Sequence, residues 1–361
     1  MKCKLLLLTA LVSTGTTAAT AVDPRCKTVI VRKEFRDLSL PEWRVFVDAL
    51  LSLQQVPSPN RHQVNMTEWD YWTQIHVDNM MTAHNHPLFF PWHRAYILAL
   101  EQRLQRVNAT IALPYWDWTL DWSSPLRSPI FSSEYRLDVA LGGDCRYRRG
   151  VFGPHCLLRD YDPDNFANYY SPQSLVQVLR SQSAYNSFRE LIEMVPHALP
   201  HTTLGGRGGD MAGMNSPNDP IFFLHHGMVD YIWWLWQGRS STHATAYEGD
   251  PEQVVRPFGI KIKEVLSSGR HCVTYQPSRR NPVLHPAAIT APHNQTRATG
   301  AQAVRVARKQ RRTRAKDGPR VWRLARSWLH MYHISAAQLQ RIVDRFDRLA
   351  GQPRRTVVQV I

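Results

Sequence analysis

Apolar residues recur at helical spacing along much of the chain. Between Leu40 and Leu53, residues Trp43, Phe46, Val47, Leu50 and Leu51 form a stripe, with Pro41 near its start. That pattern predicts a helix with proline in its first turn. Trp69 to Met81 places Trp69, Trp72, Ile75, His76 and Met80 near one face, and Phe89 to Val107 continues with Ala95, Tyr96, Leu98, Leu100 and Leu104. Leu175 to Met194 predicts another helix. Asn218-Asp219-Pro220 combines a side-chain cap with proline, so a helix is expected from there to about Gln237. Its Trp233, Trp234 and Trp236 make it apolar almost all round, which predicts burial. Ile111 to Trp118 reads as extended, and 121–168 as loop rich in Pro, Gly, Ser and Asp. The fold expected is mainly α, with long loops and few short strands.

At 361 residues the chain is long enough for one large core plus an extension. Residues 1–21 have the layout of a secretory signal: Lys2 and Lys4, the apolar run Leu5 to Val12, then Ala19-Thr20-Ala21. The alternative is a buried N-terminal strand. No stretch is long enough to span a membrane. Cys26, Cys145, Cys156 and Cys272 lie beyond the signal, an even number that fits two disulfides. Of three connectivities, 145–156 and 26–272 are favoured, because Cys145 and Cys156 flank a glycine-rich loop; buried free thiols are the alternative. Sequons at Asn65, Asn108 and Asn294 fit secretion.

Of the net charge of +15, +13 falls in 297–361, which has 16 Lys+Arg against 3 Asp+Glu. The rest is near neutral, so charge says little about what the main domain binds. The organisation expected is a signal (1–21), a main domain (22–276), a Pro-, Ala- and Arg-rich linker (277–319) and a basic helical extension (320–361). In that extension Ser335 reads as a cap, Leu339, Ile342, Val343 and Phe346 as a stripe, and Gly351 as a stop.

Two segments carry the chemistry. Pro87-Leu88-Phe89-Phe90-Pro91-Trp92-His93 and Pro220-Ile221-Phe222-Phe223-Leu224-His225-His226 share one pattern. His76 and His84 precede the first, and His197 and His201 precede the second. The spacing of His197 and His201 puts both on one helical face. Aligning the repeats sets His226, not His225, opposite His93. Two all-imidazole triads with no carboxylate argue against Mg and Ca and suit copper. Two such ions supply the two electrons that a reaction with dioxygen requires.

The runs His84-Asn85-His86-Pro87-Leu88-Phe89-Phe90-Pro91-Trp92-His93-Arg94 and Ser216 through Asp230 closely resemble the copper signatures of tyrosinases, catechol oxidases and molluscan haemocyanins. The resemblance covers roughly 26–276, and Cys272-Val273-Thr274-Tyr275 looks like the end of the fungal-type core. It implies a four-helix bundle holding a type 3 dicopper centre, with His76, His84 and His93 on one copper and His197, His201 and His226 on the other. It also implies oxidation of small phenols, o-diphenols above all, by O2; monophenols and o-aminophenols are variants. Thr82 stands where several relatives carry a cysteine joined to the second ligand, so no thioether is expected. Ala198 stands where strong monophenol hydroxylases carry an asparagine. In those relatives this asparagine and a glutamate orient a water; Glu190 or Glu193 is the carboxylate available here. Asp230 is expected either to orient a ligand histidine or to pair with Arg94. Alternatives to an oxidase are a dioxygen carrier and a noncatalytic, metal-stabilised binding protein. The extension is expected to cover the copper entrance as a latency lid, to bind anionic surfaces, or to stay solvated.

Overall fold

Ser39 starts the first long helix: its hydroxyl accepts from the Glu42 amide, and the Glu42 carboxylate accepts in return from the Ser39 amide. This reciprocal cap satisfies two donors that a helix start leaves open. Helix α1 (Leu40–Leu53) then buries Trp43, Phe46, Leu50 and Leu53. Full burial of each such side chain contributes about 1.5–3 kcal/mol. Thr67 and Asp70 build the same cap for α2 (Glu68–Asp78). The long helix α3 (Phe89–Gln105) follows.

The structure is a computed structural model that describes residues 20–60, 66–135, 137, 156–290, 320–352 and 356–361. Most of the expected signal, Asn65, Asn294 and Cys145 lie outside the described residues.

The expected helix over Leu175–Met194 is interrupted. Helix α4 (Pro172–Ser181) ends at Gln182, which is extended, and α5 (Tyr185–Ile192) begins three residues later. No proline or glycine marks the break. The cause is tertiary: the Gln182 carbonyl accepts from the Trp236 indole at 2.9 Å and also from Arg239. After α5 come a π turn (Glu193–His197) and α6 (Ala198–Gly205). Pro196 falls inside the π turn, where its missing N–H is accommodated. Helix α7 (Ile221–Gln237) starts where the sequence places it, with its first amide on Asp219 Oδ1 at 3.0 Å, and is buried along its whole length.

Helices α2, α3, α6 and α7 form the histidine-bearing bundle. Stacked rings lock α3 to α7 (Phe90 on Trp233, 5.2 Å between ring centres) and α5 to α7 (Phe188 on Trp236, 4.7 Å). Strand content is small. Strands β1 (Ile30–Arg32) and β2 (Val273–Tyr275) pair in parallel, beside the disulfide Cys26–Cys272. Cys156 is also disulfide-bonded. Within Ile111–Trp118, expected to be extended, Tyr115 forms an isolated parallel bridge to Glu34, and a turn begins at Trp118.

A buried charge cluster ties β1, α3, α7 and β2 together. Arg32 donates to Glu101 at 2.8 and 3.0 Å and to Asp230 at 3.2 Å. Arg94 donates to Asp230 at 2.6 Å, and the Tyr275 hydroxyl donates to Asp230 at 2.6 Å.

Two expectations on the C-terminal third are corrected. The supposed linker does not begin at 277: Leu284 and Ile289 are buried, Tyr231 donates to the Leu284 carbonyl, and Asn281 donates to Asp117. A composition rich in proline hides these two apolar anchors. The extension is also not purely helical. Strands β3 (Arg320–Leu324) and β4 (Thr356–Val360) pair in parallel, with α8 (Arg326–Met331) and α9 (Ala336–Leu349) between them. The Ser335 cap is present, with Gln338 completing it, and Gly351 ends the helix at φ +59°. Leu339, Val343 and Phe346 are fully buried; Phe346 packs on Tyr170 at 4.4 Å.

Candidate metal centre

The repeated segment places its histidine one turn into a helix, because the repeat's proline precedes the helix and its two phenylalanines lie in the first turn. His93 sits on α3 and His226 on α7. His76 comes from the last turn of α2, and His84 from the extended residue after the short turn Met80–Ala83. His197 ends the π turn and His201 lies one turn on.

These side chains gather into two clusters. In the first, the His76, His84 and His93 ring centres are 4.9–5.7 Å apart. In the second, His197 lies 4.7 Å from His201 and 5.1 Å from His226, and His225 joins the group at 5.0–5.3 Å. Within each cluster the ligating atoms all fall within 4.8 Å of one another. The clusters adjoin: His93 and His226 stack at 4.2 Å and 8°.

A pseudo-twofold relation runs through that stacked pair. Phe89 packs on His93 and crosses to His197, both at 4.9 Å. Its counterpart Phe222 packs on His226 at 4.2 Å and crosses to His76 at 5.0 Å. His225 takes the place of Trp92, each flanking the histidine that follows it. Phe90 and Phe223 are buried in the core, whereas the packing of Phe89 and Phe222 against the histidines is not apparent from periodicity. Their pairing across the repeat is the signal that points to it.

Ring orientation is fixed by carbonyls. The Nδ1 atoms of His76, His84, His93, His197 and His201 face the carbonyl oxygens of Met214, Met80, Phe89, Glu193 and Met211, at 2.7–3.1 Å. A carbonyl only accepts, so each Nδ1 donates, and in a neutral ring Nε2 keeps its lone pair. Nε2 of His76, His93 and His197 is buried without a hydrogen-bond partner. Orphaned inward lone pairs of this kind fit a metal ion, and the carbonyl partners hold each ring at its angle. Burial also keeps the rings neutral. It pushes His76, His93, His197 and His226 well below the ordinary imidazole range, His84 down to about 3 and His201 to about 4. Among the described residues no carboxylate joins either cluster.

The remaining candidates separate clearly. Asp230 pairs with Arg94 and Arg32, the second of its two expected roles. Glu190 is half-exposed and faces Arg345 at 3.6 Å. Glu193 is fully buried; it accepts from the Asn85 amide and from Arg189, and burial pushes its carboxyl up to about 7. Ala198 is buried, with no amide side chain to offer. Met214, just before the second motif, orients His76 through its carbonyl. Tyr332 carries no signal in the sequence: its ring lies edge-on to His84 at 5.6 Å, and its carbonyl accepts from the Asn85 side chain.

Fold and site together define a helical protein with two adjoining, buried, all-histidine metal sites. The common central domain of tyrosinase matches over residues 66–140 and 138–239. A tyrosinase of Aspergillus flavus, ustQ, is 33% identical over 254 residues, covering 62% of this chain and 68% of its own length. A Streptomyces lincolnensis tyrosinase is 33% identical over 245 residues, covering 59% of this chain and 85% of its own. Among solved structures, a mutant polyphenol oxidase from Thermothelomyces thermophila superposes with a TM-score of 0.54 at 21% identity, covering 69% of this chain and 89% of that one. A functional unit of octopus haemocyanin gives 0.53 at 19%, covering 69% and 68%. The chain belongs to the tyrosinase family. That family is dicopper, and the two clusters fit two copper ions.

Proposed function

We propose that this protein is a secreted catechol oxidase, which converts o-diphenols to o-quinones at the expense of O2. When bound, the two coppers supply the electron exchange between O2 and the diphenol. In this reading His76, His84 and His93 hold one ion and His197, His201 and His226 the other. The observation that carries the ligand set is the stacked His93–His226 pair, each ring backed by its own motif's phenylalanine. Phe89 and Phe222 exclude water from the rings. His84 and His201, at 8% and 6% exposure, mark the side from which a phenol approaches, the other four ligands being at most 2% exposed. The Cys26–Cys272 disulfide and the leader-like N-terminus support secretion. Likeness to haemocyanin favours a dioxygen carrier as the second reading. Colour development from catechol under air separates the two, since a carrier leaves catechol unoxidised.

Diphenol oxidation should exceed tyrosine hydroxylation by more than about tenfold, because Ala198 cannot help Glu193 hold a water as general base. Ala198→Asn should raise monophenol turnover. Parent turnover of tyrosine equal to that of catechol would refute the assignment.

The same reading makes the extension a lid. Tyr332 sits against His84 on the approach side. Tyr332→Ala should raise catechol turnover at unchanged copper content, and unchanged turnover rejects the lid. Substitution is a cleaner probe than a cut after Tyr275, which would also strip the buried Leu284 and Ile289 from the body.

A further inference from the structure

The turn that carries His201 is poorly supported from within. Pro196 and Pro200 withdraw two backbone donors over the ten residues that end at Gly205. The Thr202 hydroxyl donates back to the Ala198 carbonyl at 2.8 Å, and the Thr203 hydroxyl donates to the Leu199 carbonyl at 2.6 Å. Such back-bonding bends helices. The chain then leaves α6 at Gly206 with φ +56°, where an added Cβ would collide with the Asp160 carbonyl. Support therefore comes from outside. One brace is Tyr169, whose hydroxyl shares a hydrogen bond with Thr203 at 3.0 Å. The other comes from the C-terminal extension. Trp322, fully buried on β3, donates its indole N–H to the Thr202 hydroxyl at 2.8 Å. The Thr202 hydroxyl has one proton, which goes to Ala198, so its lone pair is free to accept from the indole. The bond chain runs Trp322 to Thr202 to Ala198, and Ala198 and Thr202 are the direct neighbours of His197 and His201.

The unit that offers Trp322 is itself anchored. Trp328 packs at 6.3 Å from Trp322 and stacks on Tyr332 at 4.2 Å. Buried Asp347 accepts from the Tyr170 hydroxyl and from the Thr356 amide, both at 2.8 Å, and so ties α9 to the body and to β4. The donor is therefore held rigidly from its own side.

We infer that Trp322 is a positioning residue for the second histidine cluster: its hydrogen bond to Thr202 sets the turn that aims His197 and His201, so copper retention at that cluster depends on the C-terminal extension. This rests on the ligand set proposed above, and it gives the extension a role separate from covering His84.

The test uses full-length protein and reads copper rather than turnover. Trp322→Phe keeps the ring and removes the N–H; Thr202→Val keeps the shape and removes the acceptor. Each should weaken binding of one of two copper equivalents about tenfold in chelator competition, the scale seen when a partner that orients a ligand is lost. The double variant should be no worse than either single variant, because both break one bond. Trp43→Phe, which loosens the body at α1, where the indole packs on Phe35 and Tyr135 and donates to the Tyr135 carbonyl, should lower the melting temperature and leave copper affinity unchanged. Unchanged copper affinity in Trp322→Phe and Thr202→Val overturns the inference. Equal copper loss in Trp43→Phe also overturns it, since general loosening would then be the cause. His201→Ala separates this from the ligand reading: if it keeps two equivalents, the ligand set fails, and if it loses one while Trp322→Phe loses none, only the brace fails.

Discussion

Replacing His226 by alanine should remove one of the two coppers and lower catechol turnover by more than about 100-fold. Loss of a group that merely orients a ligand costs about 10–100-fold, and here one of the six proposed ligands goes. The effect on spectroscopy is as telling. Two coupled Cu(II) ions give no EPR signal, whereas the lone ion left in the variant gives one. His93→Ala should behave alike, since the two rings are counterparts across the pseudo-twofold relation and stack face to face. His225→Ala is the discriminating control. His225 lies in the same cluster, but in the repeat it occupies the position of Trp92 rather than that of His93. Two coppers and an EPR-silent oxidised state are expected to survive its loss. A His225→Ala protein with one copper, beside a His226→Ala protein with two, would reverse the assignment. Stoichiometric zinc in active protein would remove the copper reading altogether.

The second large effect concerns stability. Asp230→Ala should cost about 3–5 kcal/mol, the scale for removing one partner of a buried ion pair. It would strip the carboxylate from Arg94 and the Tyr275 hydroxyl, each at 2.6 Å, and from one nitrogen of Arg32. Arg32 keeps its two bonds to Glu101, so Arg94 bears most of the loss. Its charge remains over the Trp233 ring at 3.8 Å, which offsets only part. Denaturant titration at one temperature measures the change, and a loss below about 1 kcal/mol would contradict the argument. Among the described residues the Asp230 carboxylate bonds to Arg94, Arg32 and Tyr275 and to no histidine side chain, so the folded fraction of the variant should still bind two coppers. Copper loss from folded Asp230→Ala would restore a ligand-orienting role for this carboxylate.

Much of the fold is legible in the sequence. Local capping chemistry places α1, the start of α7 and the start and end of α9, because Ser39, Asp219, Ser335 and Gly351 act on amides a few residues away. The paired motifs align His226 with His93, and their stacking agrees with that alignment. The break at Gln182 is invisible in the sequence, since its cause is a Trp236 indole 54 residues away. The buried run around Leu284 and Ile289 is hidden for a related reason: two apolar residues in a proline-rich stretch give no periodicity to read. The strands β3 and β4 leave no clear pattern because each is five residues long and pairs across 36 positions.

By itself, the sequence determined the kind of site: two sets of histidines, each tied to a repeated helix start, with no carboxylate among them. Residue identity and short-range geometry suffice for that, because donor chemistry is a property of side chains and the repeat fixes their phase. Only the tertiary structure decided how those histidines are held and what stands over them. The carbonyls of Met214 and Met211 orient His76 and His201 from loops far along the chain or across a turn. Tyr332 reaches His84, and Trp322 reaches Thr202, from a segment more than a hundred residues away. No periodicity encodes such contacts; they exist because the burial of Leu339, Val343 and Phe346, with Phe346 on Tyr170, holds the C-terminal segment against the body.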